Sequence, residues 1–307
     1  MEYDTIILGG GPCGYTAALY AGRAALSTLV LEKGAAGGQM STTDHIDNYP
    51  GFPEGVDGYT LASAMQEQAA RFGAKTVQAE VSRVQLEGAV KTVTTARGET
   101  YAARTVIVAA GASPRELGFE EERRLRGKGV SYCATCDGVF YRGKTVAVIG
   151  GGDTAAVDAL FLTRFCRKVY VVHRRDTLRA AKEYQRRLFA DEKIEMVWDS
   201  TAERILAEET VTGLLVRNKR TGATREIDCQ GIFIAIGTVP NTAFLQGQLP
   251  LDEEGYVKAG EDTLTPIPGV FAAGDIRRKG LRQIVTAVSD GAVAAKMAEE
   301  YRMGLAW

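Results

Sequence analysis

This 307-residue chain contains two cysteines separated by two residues, an arrangement that suits redox chemistry. Cys133 and Cys136 stand in the segment Cys-Ala-Thr-Cys-Asp-Gly, at a spacing that lets two thiols close a small, easily reopened disulfide. Asp137 follows directly, and its carboxyl group is able to give a proton to a departing thiolate. Its alternative role is to cap the Asp-Gly turn. The spacing alone is also compatible with two other interpretations, half of a zinc site or an inert buried pair.

The remaining cysteines and the histidines narrow these alternatives. Five cysteines, an odd number, do not suggest a secreted disulfide scaffold and favour cytosolic redox chemistry for the close pair. Cys13, Cys166 and Cys229 stand among apolar or small residues and are expected to fill the core. Zinc would need two further ligands, and the chain has only His45 and His173, so we expect no metal site. His45, in a polar loop, is expected to be a surface or hydrogen-bonding residue.

Length and composition indicate a soluble globular protein of two domains. The apolar content of 45% and the net charge of −1 give no electrostatic preference for nucleic acid or an anionic membrane. The first residues are acidic and lead directly into an apolar strand, which fits neither a secretory signal nor a transit peptide. No apolar run approaches the roughly 20 residues of a membrane span. We therefore expect a cytoplasmic protein without nucleic-acid or membrane partners.

A glycine-rich loop between a predicted strand and a predicted helix opens the chain. Thr5–Leu8 is the strand, Gly9 to Gly14 form the loop, and Tyr15–Leu26 has helical periodicity. The next strand, Thr28–Leu31, is followed by Glu32, where dinucleotide-binding units place an acid that accepts hydrogen bonds from ribose hydroxyls. Strand, loop, helix and acid in this order predict a dinucleotide-binding unit.

The rest of this unit consists of a helix, a meander and a buried strand. We predict the helix near Gly58–Phe72, the meander from Lys75 to Ala102 and the strand over Thr105–Ala110. The extended segment Ser113-Pro114 then predicts a crossing into a second domain.

The same order occurs a second time. Lys144–Ile149 is a predicted strand, Gly150 to Ala155 a second glycine loop, Ala156–Phe165 a helix and Lys168–Val172 a strand. A second meander between Glu195 and Asp228 ends in the apolar strand Gly231–Gly237, which parallels the earlier buried strand. We interpret the repetition as two copies of one nucleotide-binding unit.

The final part of the chain has no counterpart in the second copy. After a return crossing near Pro240–Phe244, Pro268 to Asp275 form a strand with an acidic end, and the helix Ile284–Met303 is expected to pack on the first domain. The predicted fold class is α/β, with two Rossmann-like three-layer nucleotide-binding domains, the second inserted in the first. The predicted bounds are 1–113 with 242–307 for the first domain and 114–241 for the second.

The two copies differ where their second strands end. Copy one ends in Glu32, whose charge would repel a 2′-phosphate. Copy two instead has His173-Arg174-Arg175 and, four residues later, Arg179. Guanidinium groups form charge-assisted bonds to phosphate, so this site is predicted to prefer NADP(H) to NAD(H). The alternative is a solvated basic run before a helix. For His173 there are two interpretations, a contact with phosphate or adenosine and packing at the end of the strand.

Several of these motifs together resemble the low-molecular-weight bacterial thioredoxin reductases. The resemblance runs from near Tyr3 to about Arg302 and is based on these segments: Gly37-Gly38-Gln39, Asn48-Tyr49-Pro50-Gly51, Cys133 to Gly138, His173-Arg174-Arg175 with Arg179, and Gly274-Asp275 with Arg282-Gln283.

This resemblance implies FAD in the first domain, NADPH in the second and a homodimer. It also implies that Cys136 lies against the flavin, that Cys133 faces the protein substrate thioredoxin, and that Asp137 donates the proton. The FAD-binding residues would be Gly9, Gly11, Pro12, Gly14, Glu32, Lys33, Gly38, Gln39, Asn48, Ala110, Gly111, Gly274, Asp275, Arg282, Gln283 and Ile284. The NADPH-binding residues would be Gly150, Gly152, Asp153, Thr154, His173, Arg174, Arg175, Arg179, Ile236 and Gly237.

The implied reaction passes electrons from NADPH through FAD and the dithiol to thioredoxin, with the two crossings acting as hinges of a domain rotation. One departure from the family pattern is Arg277-Arg278-Lys279, which would alter local charge or a partner surface but leave flavin binding intact. A flavin-dependent dithiol oxidase and a redox-sensing flavoprotein remain alternatives. Some related enzymes take electrons from ferredoxin and have lost the nicotinamide motifs, which this chain retains.

Overall fold

A computed structural model describes residues 2–43 and 45–305 of the chain. The helices are α1 (Pro12–Arg23), α2 (Gly58–Arg71), α3 (Glu120–Arg124), α4 (Ala134–Asp137), α5 (Asp153–Leu162), α6 (Lys182–Ala190) and α7 (Ile284–Arg302). The strands are β1 (Glu2–Leu8), β2 (Thr28–Glu32), β3 (Lys75–Gln78), β4 (Val81–Gln85), β5 (Lys91–Thr95), β6 (Thr100–Val108), β7 (Ala112–Pro114), β8 (Val130–Ser131), β9 (Thr145–Gly150), β10 (Lys168–Val172), β11 (Ile194–Val197), β12 (Ser200–Ala207), β13 (Val211–Asn218), β14 (Thr224–Asp228), β15 (Gly231–Ala235), β16 (Thr238–Pro240) and β17 (Val270–Ala272).

The chain divides into two compact units. Unit 1 combines the residues up to Ser113 with those from Val239 onward, and unit 2 is Pro114–Thr238. The chain passes between them at β7 and β16, which pair in a two-stranded sheet. The ends of the predicted first domain, residues 1 and 306–307, lie outside the described part of the chain.

Unit 1 is built on a seven-stranded sheet in the order β3-β2-β1-β6-β5-β4, with β17 also paired to β6. Its central strands are parallel, and Ile7 of β1 is in register with Val30 of β2 and Ile107 of β6. One face packs against α1 and α7, and the other forms a second apolar core with the antiparallel strands β4 and β5. This gives three layers, as predicted.

Unit 2 repeats the topology of unit 1. Its five-stranded sheet has the order β11-β10-β9-β15-β8, so the first four strands correspond to β3-β2-β1-β6. Here the antiparallel strands β12, β13 and β14 form a separate three-stranded sheet, which contributes to the apolar core on one face. The helices α5 and α6 contribute to the core on the other face. The predicted α/β class with two Rossmann-like copies is confirmed.

Both glycine loops end earlier than predicted. The first helix begins at Pro12 rather than Tyr15, because proline at the first helical position has the helical φ and no N–H that needs a partner. The helix of the second copy begins at Asp153 rather than Ala156, with the acidic residue in its first turn. Apolar periodicity missed both starts because the first turns consist mostly of small or polar residues.

The segments interpreted as meanders each begin with a parallel strand. Lys75–Gln78 pairs parallel to β2, and Ile194–Val197 pairs parallel to β10. Each follows a helix, and a strand that returns after a helical crossover lies parallel to the preceding one. The antiparallel part therefore starts later than predicted in both copies.

The last helix closes the core of unit 1. α7 packs against α1, and a Cβ at Gly291 would lie 2.2 Å from the carbonyl oxygen of Cys13, so the two backbones meet closely. The expected packing of this helix on the first domain is confirmed. Within residues 2–43 and 45–305, no helix is long and apolar enough to cross a membrane.

Candidate active site

Cys133 and Cys136 are joined by a disulfide, with their Cα atoms 5.3 Å apart. Cys133 is the residue before the short helix α4, and its carbonyl oxygen accepts the backbone N–H groups of Cys136 and Asp137 at 3.2 and 3.1 Å. The two sulfur atoms are therefore held by one turn of backbone. Both cysteines are partly exposed, as a pair that exchanges disulfides with a protein must be.

A buried serine connects the first cysteine to the acidic residue. The hydroxyl of Ser131 donates to Oδ2 of Asp137 at 2.6 Å and accepts the backbone N–H of Cys133 at 3.1 Å. Its oxygen also lies 3.3 Å from the carbonyl oxygen of Cys133. Because this hydroxyl has a second acceptor, it can turn away when the Asp137 carboxyl gains a proton and still remain hydrogen bonded. The Asp137 side chain is thus held beside the dithiol by the strand that precedes it.

A buried acid anchors the segment before Cys133. Glu122 accepts the backbone N–H groups of Leu117 and Gly118 at 3.0 and 2.9 Å and also the hydroxyl of Tyr132. The guanidinium of Arg126 lies 4.6 Å from the centre of the Tyr132 ring. Burial, together with the Glu122 carboxylate, raises the pKa of Tyr132, so its hydroxyl stays protonated and acts as a donor.

The first glycine loop is shaped by a close approach of two of its own residues. A Cβ at Gly14 would lie 1.9 Å from the carbonyl oxygen of Gly9, which only glycine permits. Glu32, at the end of β2, accepts the backbone N–H groups of Gly10 at 2.6 Å and Gly34 at 2.9 Å. The predicted ribose acid therefore also orders the loops on either side of it.

The residues predicted to bind FAD meet at the carboxyl ends of the parallel strands of unit 1. Gly37 donates to the carbonyl oxygen of Gly10 at 2.7 Å, which brings the second glycine pair beside the first loop. The amide of Gln39 donates to the carbonyl oxygen of Ala112, and Asn48 donates to the side chain of Gln283 at 3.0 Å. This edge is where open α/β sheets bind ligands.

Two buried polar atoms at this edge have no hydrogen-bond partner among residues 2–43 and 45–305. They are Oδ1 of Asp275 and Nε of Arg282, whose guanidinium lies 4.1 Å from the centre of the Tyr256 ring. Buried polar atoms are nearly always hydrogen bonded, so these two suit a polar ligand. Gly11 and Gly38 leave open space, since a Cβ on either would have no neighbour closer than 3.8 Å. An acceptor, a donor and a glycine-lined space fit the hydroxyls and pyrophosphate of FAD.

The second glycine loop is closed by the segment that follows β10. A Cβ at Gly151 would lie 2.2 Å from the ring of His173, so this ring packs directly under the loop. The backbone N–H of Arg179 donates to the carbonyl oxygen of Gly151 at 2.7 Å. The backbone N–H of Ala181 donates to Oδ1 of Asp153, also at 2.7 Å. The basic run and the glycine loop are therefore parts of one structure.

His173 and the arginines have opposite environments. His173 is only 6% exposed, lies 3.0 Å from the carbonyl oxygen of Thr177, and has its pKa lowered by burial. Arg174, Arg175 and Arg179 are exposed, and no carboxylate of the described residues lies within 4.0 Å of their guanidinium groups. They are available to an anion, whereas His173 supports the loop. A direct ligand contact of His173 stays a prediction.

Some residues that build the site gave no recognisable signal in the sequence. Ser131 and Glu122 are ordinary polar residues in their segments, and their role depends on burial, which pattern alone does not specify. Asn241 is another case, because its amide donates to the carbonyl oxygen of Ala110, a predicted FAD residue, at 2.8 Å. An asparagine directly after a strand-ending proline was the only available hint.

The cysteines outside the dithiol are all buried and free, as expected for core residues. Burial raises the pKa of Cys166 to about 11 and that of Cys229 to about 12, so neither is a nucleophile at neutral pH. The described residues contain no group of three or more His, Cys, Asp or Glu side chains able to hold a metal ion.

A redox-active disulfide in a chain with two Rossmann-like units defines a class of disulfide oxidoreductase, and known proteins agree with this class. Residues 3–291 match the pyridine nucleotide-disulphide oxidoreductase family. A thioredoxin reductase of Streptomyces clavuligerus is 48% identical over 305 residues, covering 99% of this chain and 95% of the relative. The chain therefore belongs to the pyridine nucleotide-disulphide oxidoreductases and, within them, to the thioredoxin reductases.

Solved structures support the same assignment. The thioredoxin reductase of Streptococcus pyogenes has a TM-score of 0.93 at 43% identity and covers 99% of both chains. That of Lactococcus lactis, described as being in the FR conformation, has a TM-score of 0.68 at 41% identity and covers 99% of this chain and all of its own.

Proposed function

We propose that this chain is an NADPH-dependent flavoenzyme that reduces the disulfide of a thioredoxin through Cys133 and Cys136. The observation that supports it most is the partly exposed disulfide, with Asp137 held beside it by Ser131, in a unit that also has a glycine loop and three available guanidinium groups. Thioredoxin reductases use FAD and NADPH, and membership of that family supports both cofactors.

The FAD site is proposed in unit 1. Glu32, Asp275 and Arg282 would hold the polar groups of FAD, and the open loop at Gly11 and Gly38 would admit its pyrophosphate. When bound, FAD supplies two-electron transfer between a nicotinamide and a dithiol.

The NADPH site is proposed in unit 2. The loop at Gly152 would receive the pyrophosphate, since a Cβ there would have no neighbour within 4 Å. The guanidinium groups of Arg174, Arg175 and Arg179 would bind the 2′-phosphate through charge-assisted bonds. The retained basic run also argues against a dithiol oxidase, which needs no nicotinamide contacts.

Disulfide exchange accounts for the second half of the reaction. In the reduced dithiol, the Cys133 thiolate attacks the thioredoxin disulfide and forms a mixed disulfide, while one thioredoxin sulfur leaves as a thiolate. The Cys136 thiolate then attacks Sγ of Cys133, which releases the second thioredoxin sulfur and restores the Cys133–Cys136 disulfide. Asp137 supplies a proton to a departing thiolate. Two electrons pass from the dithiol to thioredoxin, whose two sulfurs end as thiols.

Three features beyond the chemistry belong to the same proposal. The enzyme acts as a homodimer in the cytoplasm, and its two units rotate so that nicotinamide and dithiol take turns at the flavin. Two relatives of similar identity and coverage differ in TM-score, 0.93 against 0.68, which supports more than one arrangement within the family.

Single replacements of the two cysteines test the roles assigned to them. Reduced Cys136→Ser should trap oxidised thioredoxin as a stable mixed disulfide through Cys133, because the second thiolate needed for release is missing. Cys133→Ser should trap little, and both variants should lose at least about a hundredfold in NADPH-dependent thioredoxin reduction. The control is Cys166→Ala, which removes a buried thiol outside the dithiol.

Trapping by Cys133→Ser instead of Cys136→Ser would reverse the two roles. Normal thioredoxin reduction by either variant would contradict the proposed function. Oxygen consumption with dithiol substrates, at a rate exceeding thioredoxin reduction, would favour a dithiol oxidase.

A further inference from the structure

The run Arg277-Arg278-Lys279 is not a surface charge cluster. The side chains of Arg277 and Lys279 are only 2% and 5% exposed, whereas that of Arg278 is 68% exposed and pairs with Asp252. Two buried cations directly after Asp275 need compensating groups, because an unpaired buried charge is costly. Of these three residues, only Arg278 is exposed enough to belong to a partner-binding surface.

Asp290, in the first half of α7, is the centre of this buried charge cluster. Its Oδ2 accepts the backbone N–H of Gly274 at 2.8 Å, Nε of Arg277 at 2.7 Å and Nζ of Lys279 at 3.3 Å. Its Oδ1 accepts Nη2 of Arg277 at 2.9 Å. The other side of that guanidinium reaches Glu261 at 3.0 Å. The loop from Gly274 to Lys279 is thus fastened to α7 at three points.

Lys279 faces the predicted FAD residue as well as Asp290. Its Nζ lies 3.8 Å from Oδ1 of Asp275, the buried oxygen that has no hydrogen-bond partner in the described part of the chain. That separation is too long for a hydrogen bond but close enough for a strong electrostatic attraction in a buried site. Lys279 therefore balances the negative charge of this oxygen without forming a hydrogen bond to it.

The charge state of Asp275 results from opposing influences. Burial raises the pKa of Asp275 above its ordinary value, although the cations of Lys279 and Arg282 act to lower it. Asp290 on α7 raises it further, and Arg277 lowers it. From α1 the nearby titratable group is the thiol of Cys13, which stays neutral because burial raises its pKa. Removing a cation would therefore shift Asp275 toward its protonated form.

We propose that Lys279, fastened by Asp290, is a positioning residue of the FAD site: it keeps Asp275 a carboxylate with one oxygen free to accept hydrogen bonds from cofactor hydroxyls. This inference rests on the assignment of Asp275 to FAD. Arg277 neutralises the other side of Asp290, so that Asp290 can bind the backbone of Gly274 and Lys279 together.

The test is FAD binding by apoprotein as a function of pH, which requires neither NADPH nor thioredoxin. Lys279→Met removes the cation but keeps the length of the side chain. Its FAD dissociation constant should rise about tenfold at pH 6, because a protonated Asp275 loses a charge-assisted acceptor, and should approach the wild-type value by pH 9. Wild type, Lys279→Arg and the exposed control Lys296→Met should have nearly flat profiles over this range.

The outcomes separate the inference from the site assignment. Lys279→Met with unchanged affinity, or with an equal loss at every pH, would overturn the positioning role; an equal loss would mean packing alone. Asp275→Asn with unchanged FAD affinity would instead contradict the assignment of Asp275. If Lys279→Met does not fold, as thermal unfolding of the apoprotein would reveal, the Lys279→Arg profile decides. A steep pH dependence in that variant would overturn the inference.

Discussion

The three guanidinium groups beside the second glycine loop determine which nicotinamide cofactor is expected to bind. Arg174, Arg175 and Arg179 are exposed and have no carboxylate of the described residues within 4.0 Å, while the backbone of Arg179 is fixed to Gly151. An anchored main chain with an available cationic side chain is well suited to a phosphate.

Removal of two of these cations should discriminate between the cofactors. Arg175→Ala combined with Arg179→Ala should raise KM for NADPH by about tenfold for each guanidinium lost, and should change KM for NADH much less, because NADH has no 2′-phosphate. Steady-state kinetics with both cofactors make the measurement. Arg204→Ala, an exposed arginine of β12, is the control. Equal losses for NADPH and NADH would refute the 2′-phosphate role.

At the scale of single elements, α5 contains an acid in an unfavourable position. Asp158 lies on this helix between the buried residues Ala155 and Leu162, and burial raises its pKa to about 7. Because the folded pKa lies above the ordinary value near 3.8, the carboxylate is disfavoured by folding. The destabilisation that the Asp158 carboxylate causes is absent at low pH and complete above pH 7.

This element predicts a specific dependence of stability on pH. The Asp158 carboxyl group should by itself lower the free energy of unfolding by about 2 kcal/mol as pH rises from about 4 to 7, allowing for partial exposure, and Asp158→Asn should remove this contribution. Urea unfolding of the apoprotein at pH 5 and pH 8 measures the difference. Asp176→Asn, an exposed acid in the same unit, should retain the wild-type dependence. An unchanged dependence in Asp158→Asn would contradict the burial of its charge.

At the scale of the whole molecule, the proposed reaction requires two ligands to reach one flavin. The dithiol and the proposed NADPH site belong to unit 2, whereas the proposed FAD site belongs to unit 1. The chain passes between the units only at β7 and β16, and short connections of this kind suit a hinge.

A crosslink between the two units tests the rotation. Introduced surface cysteines can be joined by a bismaleimide while the native ones stay unreactive, because Cys13, Cys166 and Cys229 are buried and Cys133 is bonded to Cys136. The crosslinked enzyme should lose turnover but keep one half-reaction, either flavin reduction by NADPH or flavin oxidation by the disulfide, measured anaerobically. The double-cysteine variant without crosslinker is the control. Full turnover of the crosslinked enzyme would exclude the rotation.

Features that a few neighbouring residues encode could be predicted before the fold was known. The dithiol spacing, both glycine loops, the acid after β2 and the basic run after β10 are each contained in a few adjacent positions. The repeated order of strands and helices follows from local periodicity, and so the two Rossmann-like copies could be predicted. The predicted helix starts were less accurate, because the first turns, which begin at Pro12 and Asp153, consist mostly of small or polar residues and show no apolar periodicity.

Which polar groups are buried, and which groups they contact, became visible only in the folded chain. Arg277, Arg278 and Lys279 look alike in the sequence, yet two are enclosed around Asp290 and one is exposed. In the same way, folding brings Ser131 to Asp137, and Asn48 to Gln283 across 235 positions. Burial removes water from Arg277, Lys279, Asp290 and Ser131 and makes their hydrogen bonds and charges matter, and burial depends on contacts between distant segments rather than on local pattern.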